Sequence, residues 1–252
     1  MNLEQSLPVL ASRELLPADY DAVIVVGSTA RGWANQGSDF DVYVITTQPW
    51  EGRRTVESRL PVTPETVPIA VEHVDGQRWE VKYYLRDQID QVLAKVTDTD
   101  GLPADELTQL ERMLVIRIIH GVAVVGGELV AEWQRRIAGS RFRASVVAQA
   151  LEFFDSYTED AVGALADEQW ETAVITTKHA FEYVVEALLG SHGQYDGRKW
   201  RARMKRSLDP KELPFEEYWS IETMCDFDAE VPRAWVERVL ETGQRICAEI
   251  EL

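Results

Sequence analysis

Apolar spacing divides the chain into two halves of different character. Over roughly the first hundred residues, short apolar runs alternate with polar stretches. "DAVIVVG" (21–27) reads as a buried strand and "DFDVYVIT" (39–46) as a second. "IAVEHVDGQRWEVKYYL" (69–85) is two period-two runs joined by Asp-Gly, the pattern of a hairpin. Between them, "QPWEGRRTVESRLPVTPETVP" (48–68) is expected to be a loop or excursion. From about residue 103 the spacing becomes helical.

Three helices stand out in the second half. Val147, Leu151, Phe154, Tyr157, Ala161 and Leu165 recur at three- and four-residue steps, as do Trp170, Val174, Thr177, Phe181, Val184 and Leu188. The third stripe is Trp235, Val239, Ile246 and Ile250, entered by Pro232 near its first turn. Each stripe needs a partner surface, so together they predict a bundle. The expected fold is α+β, with a sheet-bearing domain over 1–138 and a C-terminal helical bundle over 139–252. The boundary is expected near "IAGSRFR" (137–143).

Composition narrows the class. The chain has 252 residues, 45% hydrophobic and 27% charged, as expected of a globular protein. Its first residues lack the basic segment and apolar core of a signal peptide, and no apolar run approaches the ~20 residues that span a bilayer. Two cysteines, Cys225 and Cys247, have no metal-ligand spacing, so reduced thiols and a cytoplasmic location are expected. A net charge of −17 argues against non-specific nucleic-acid binding, which depends on neutralised phosphates. Against that charge, "GRKWRARMKRS" (197–207) gathers six bases. It reads either as an anion-binding patch or as a surface helix offsetting nearby acids.

The chemistry concentrates in "VVGSTARGWANQGSDFDVYVIT" (25–46). A strand ending at Val26 and turning at Gly27 and Ser28 can present free N–H groups to a phosphate if a helix begins at Ser28. Gly27 lets the backbone come close, and the Ser28 hydroxyl can add a hydrogen bond. On the next strand, alternation puts Asp39 and Asp41 on one face and Phe40 and Val42 on the other. Two carboxylates beside a phosphate cradle can carry Mg²⁺. In the hairpin, Glu80 shares a face with Lys82 and Tyr84 and is the best third carboxylate; Glu72 on the partner strand is the runner-up. "DFD" recurs at 226–228 without a Gly-Ser turn, where loop or capping duty is expected. His120, in the apolar "VIRIIHG", reads as an interior residue.

"GSTARG-WANQG-SDFD" resembles the signature of the nucleotidyltransferase superfamily related to DNA polymerase β: Gly-Ser, Ala-Arg-Gly, five residues, Ser-Asp, one residue, Asp. The resemblance implies a small mixed-sheet catalytic domain that transfers a nucleoside monophosphate from an NTP, by family precedent ATP, using two Mg²⁺ ions. It implies that Gly27 and Ser28, with Arg31 and Ser38, bind the nucleotide, and that Asp39, Asp41 and Glu80 ligate metal. A catalytic domain followed by a helical bundle is similar to the kanamycin nucleotidyltransferase type. That layout implies a small-molecule hydroxyl acceptor, Glu152 or Asp155 as general base, Lys178 on the triphosphate, and a homodimer. The alternative within the resemblance is an antitoxin-like enzyme that adenylylates a partner protein.

Overall fold

The computed structural model describes residue 3 and residues 6–97, 107–195 and 197–250, without the side chains of 197–199. The expected helical onset near 103 and the side chains of Arg198 and Lys199 lie outside the described residues. The chain forms two compact units, Met1–Arg141 and Phe142–Leu252.

In the first unit, a short helix α1 (Ser6–Ser12) precedes strand β1 (Ala22–Val26), the single turn α2 (Gly27–Ala30) and strand β2 (Phe40–Thr46). Strands β3 (Val56–Arg59), β4 (Thr66–Val74) and β5 (Gln77–Leu85) follow, then helices α3 (Arg86–Thr97) and α4 (Gln109–Ile119), strand β6 (Val122–Val125) and helix α5 (Gly127–Ala138). Among the described residues the sheet order is β3-β4-β5-β2-β1-β6. Strands β2 and β5 are parallel and the other pairs antiparallel, so the sheet is mixed.

Alternation along these strands makes two unlike faces. Val23, Val25, Phe40, Val42, Val44, Trp79, Val81 and Tyr83 share one buried core with Leu10 and Leu15 of the N-terminal segment. Phe40 stacks on Trp79 with ring centroids 4.2 Å apart. The expected hairpin is β4–β5, closed by Asp75-Gly76 with Val74 opposite Gln77. The stretch 48–68, expected to be a loop, instead contains β3, which pairs with β4 at the sheet edge. Its apolar alternation is too weak to read: Val56 is 51% exposed, so the strand is held by ladder hydrogen bonds rather than burial. Strand β6 also interrupts the stretch expected to be helical.

The second unit contains α6 (Phe142–Ala166), α7 (Trp170–Ser191), α8 (Gly197–Leu208), α9 (Phe215–Glu222) and α10 (Pro232–Glu249). The three expected stripes lie on α6, α7 and α10, and Pro232 occupies the first turn of α10, where its missing N–H costs nothing. Val147, Phe154, Ala161, Phe181, Val184, Leu188, Trp235, Val239 and Ile246 are all buried. Helix α6 packs on α7, and α10 packs mainly on α7. Among the described residues, no helix is long and apolar enough to cross a membrane.

Two other expectations resolve in this unit. The second "DFD" serves its loop: Asp226 pairs with Arg238 at 2.7 Å, and Asp228 Oδ1 accepts from the Glu230 N–H. The basic stretch is not a continuous cationic surface, because α8 turns Arg201 and Lys205 inward. Lys205 Nζ donates to the Leu213 carbonyl, and burial lowers its pKa to about 8 against the opposing pull of Asp209 and Glu212. Arg206 lies over the Phe215 ring at 4.0 Å. Neither reading of the stretch anticipated buried bases.

Candidate active site

The site is built on one row of the sheet. Val26, the last residue of β1, faces Asp41 on β2, and Asp41 faces Glu80 on β5. Register partners point to the same side, so the two carboxylates are neighbours on the face opposite the Phe40–Trp79 core. Asp39, two residues before Asp41, opens onto the same face. Glu72 is different: it faces Trp79, so it belongs to the opposite side, where it pairs with Arg53 at 2.8 Å. Geometry thus gathers Asp39, Asp41 and Glu80 and separates Glu72 from them.

Gly27 follows the row directly. Its φ is +71°, a left-handed conformation that an L side chain resists. A Cβ there would collide with Arg117 Nη1 and Asp41 Oδ2, so the backbone meets the acid row bare. The expected helix from Ser28 is only the single turn α2, which ends where Gly32 reverses the chain with φ +67°. First-turn N–H groups lack intrahelical acceptors, so the turn still offers donors, but not a long helix dipole.

Each acid is matched by a cation of the same unit. Arg78 spans Asp39 at 2.5 Å and Glu80 at 2.9 Å, and Lys82 lies 3.2 Å from Glu80. Burial alone raises the Glu80 pKa; Lys82 and then Arg78 outweigh it and hold the carboxyl below the usual glutamate range. Arg117, from α4, donates to Asp41 at 2.7 Å, with side-chain exposures of 26% and 21%. Beneath them the hydroxyl of Tyr43 is pushed up to about 12, mainly by burial.

Arg117 was not among the expected site residues. It lies 76 positions from Asp41 in sequence and in an apolar helical segment with no motif. The signal that could have found it is a lone arginine in the apolar run "MLVIRIIH", where a charge needs a partner. Helix α4 is well fixed. Thr108 and Glu111 form a reciprocal capping box, Glu111 accepts from Lys95 at 2.6 Å, and Gln134 donates to the carbonyls of Ile118 and Gly121.

The other expected residues are placed as follows. Arg31 lies over the Trp33 ring at 3.7 Å. The Ser38 hydroxyl is engaged within its loop, accepting from the Asn35 N–H and donating to Asn35 Oδ1. Lys178 and Glu152 belong to the second unit: the Lys178 ammonium donates to the Glu222 carbonyl at 2.6 Å, while Glu152 and Asp155 are exposed on α6.

The donor set fits a hard divalent ion in kind, since three adjacent carboxylates supply only oxygens. Among the described residues, however, no group of three or more His, Cys, Asp or Glu side chains is arranged to hold a metal ion. The carboxylates are turned to Arg78, Lys82 and Arg117 instead.

His120 caps the C-terminal end of α4, and its pKa is lowered to about 4, by burial and then by Arg31. The unfolded chain therefore binds a proton between pH 6.5 and 4 that the folded form refuses, and stability falls as pH drops through that window. The expected loss between pH 7 and pH 5 is about 1–2 kcal/mol. Urea unfolding at both pH values checks this: His120→Gln should flatten the difference.

Comparison with known proteins comes to the same segment. A crystal structure of a nucleotidyltransferase-like protein from Exiguobacterium sibiricum aligns over 98% of this chain and 75% of its own, with 11% identity and a TM-score of 0.49. That similarity is too remote to transfer residue roles. No curated protein matches the chain. The family model of the nucleotidyltransferase domain matches residues 11–105, the segment that holds the Gly-Ser turn, both aspartates and Glu80. Residues 11–105 are thus similar to a nucleotidyltransferase domain, a match that supports transferase activity.

Proposed function

We propose that this protein moves a nucleoside monophosphate from an NTP to a hydroxyl of a small molecule and releases pyrophosphate. The observation that carries the reading is the row Val26–Asp41–Glu80 beside the bare turn at Gly27. It sets acidic oxygens next to backbone donors, the combination that a metal-bound triphosphate needs.

In this mechanism Asp39, Asp41 and Glu80 would hold divalent ions. Divalent ions held there would supply Lewis-acid charge stabilisation to a triphosphate. The N–H groups of the Gly27–Ala30 turn and the Ser28 hydroxyl orient the β and γ phosphates. Arg31 adds a cation at the end of that turn. Lys178 is less suited to hold triphosphate, since its ammonium is already bonded to a backbone carbonyl. ATP is the nucleotide by family precedent, and a net charge of −17 favours a cationic acceptor by field attraction.

The test is incubation with each α-labelled NTP, Mg²⁺ and a cell extract, followed by separation of products. Label in small molecules is the expected result. Label in protein would replace the acceptor class with the protein-adenylylating alternative. No transferred label and no pyrophosphate from any NTP would contradict both.

A further inference from the structure

The second unit holds a cavity that the acid row does not use. It measures about 720 Å³ and opens where the start of α7, the start of α10 and the segment leading into α10 meet. That volume suits a small molecule, whose sites span roughly 300–1,000 Å³. Trp170, Val174, Ile175, Phe227, Val231 and Pro232 make its walls apolar. Phe227 meets the buried Trp235 edge to face, with ring centroids 5.6 Å apart, so that wall is anchored in the bundle. Ile175 and Val231 are 59% and 56% exposed, which leaves large apolar side chains in water until something covers them.

Charge decides what fits there. Arg233 is already engaged: it lies 3.2 Å from Glu237, donates to the Leu165 carbonyl at 3.4 Å and sits over the Trp170 ring at 5.5 Å. The carboxylates of Glu171 and Glu230, also on the cavity wall, have no hydrogen bond or ion pair among the described residues. Both residues are exposed, so they mark its rim. The two helix starts pull the other way, with about half a positive charge each. Pro232 takes one N–H donor from α10, and two full negative charges outweigh both dipoles.

We propose that this cavity binds an organic amine with an apolar body, a small aromatic or alkyl ammonium ion. Covering Ile175, Val231 and the Trp170 and Phe227 rings supplies the affinity, and Glu171 and Glu230 select the sign of charge. All of these residues belong to the second unit. The site uses neither the acid row nor a nucleotide, so it is independent of the transfer reading above.

Three probes that share one body test this by calorimetry on the full chain: phenylbutylamine, phenylbutanol and phenylbutyrate. The expected order of affinity is amine, alcohol, carboxylate, with about fivefold or more between the first and the last. Added salt should weaken the amine more than the alcohol. The double variant Glu171→Gln, Glu230→Gln should bring the amine down to the affinity of the alcohol. Both positions are exposed, so the fold is not at stake. Ile175→Ser, at another exposed position, should weaken amine and alcohol by the same factor. An amine preference that survives the double variant would come from the overall charge of −17 and overturns the site. So does an amine that fails to bind, a carboxylate that binds as well as the amine, or an affinity indifferent to Ile175→Ser.

Discussion

Asp41→Asn should lower turnover by at least about a thousandfold, a loss of ~4 kcal/mol in transition-state stabilisation. The substitution keeps the shape of the side chain and removes one charge. Asp41 is the member of the acid row that touches both neighbours: Val26, which leads into the Gly27 turn, and Glu80. Glu72 cannot take that place, because it faces the opposite side of the sheet. The substitution also leaves Arg117 half-buried beside a neutral amide, a cost of about 1–3 kcal/mol in stability. Activity and the thermal midpoint therefore have to be measured together. The account expects a folded, destabilised and inactive protein. A folded Asp41→Asn enzyme with near-normal turnover would contradict it.

Gly27→Ala should be nearly as damaging, for a different reason. A residue with a Cβ at φ +71° costs about 1–2 kcal/mol in backbone strain. The same Cβ also displaces Arg117 Nη1 and Asp41 Oδ2, an overpacking that typically adds about 1–3 kcal/mol. Turnover should drop by about a hundredfold or more, since the acid row and the turn move apart. Gly32→Ala is the control. It has the same handedness, φ +67°, but open space around its Cβ position, so only the backbone term applies. Denaturant unfolding of the two variants checks the argument: Gly27→Ala should lose more stability and far more activity than Gly32→Ala.

Much of the site could be read from local sequence because its parts are local. The Gly-Ser turn, the alternation that pairs Asp39 with Asp41, and the Asp75-Gly76 hairpin that carries Glu80 all follow from rules spanning a few residues. Alternation already favoured Glu80 over Glu72, but its place directly beside Asp41 is set by register, which no short window contains: β2 pairs in parallel with β5 across about forty residues of intervening chain. For Arg117 the sequence offered only a lone charge in an apolar run; its partner, Asp41, lies 76 positions away. Edge strand β3 escaped because an exposed strand has little apolar alternation to betray it. The basic stretch misled because charge in a sequence says nothing of direction, and Arg201 and Lys205 point inward. Ser38 matched a motif by type, yet its hydroxyl is engaged in bracing the loop through Asn35.

The central claim is that Asp39, Asp41 and Glu80 jointly grip divalent ions on which a triphosphate rests at the Gly27 turn. Anomalous diffraction from a crystal grown with Mn²⁺ and a non-hydrolysable ATP analogue tests it most directly. The account predicts manganese peaks within coordination distance of all three carboxylates, with β and γ phosphate oxygens on the N–H groups of residues 27–30. Manganese bound elsewhere, or a triphosphate seated away from that turn, would contradict it.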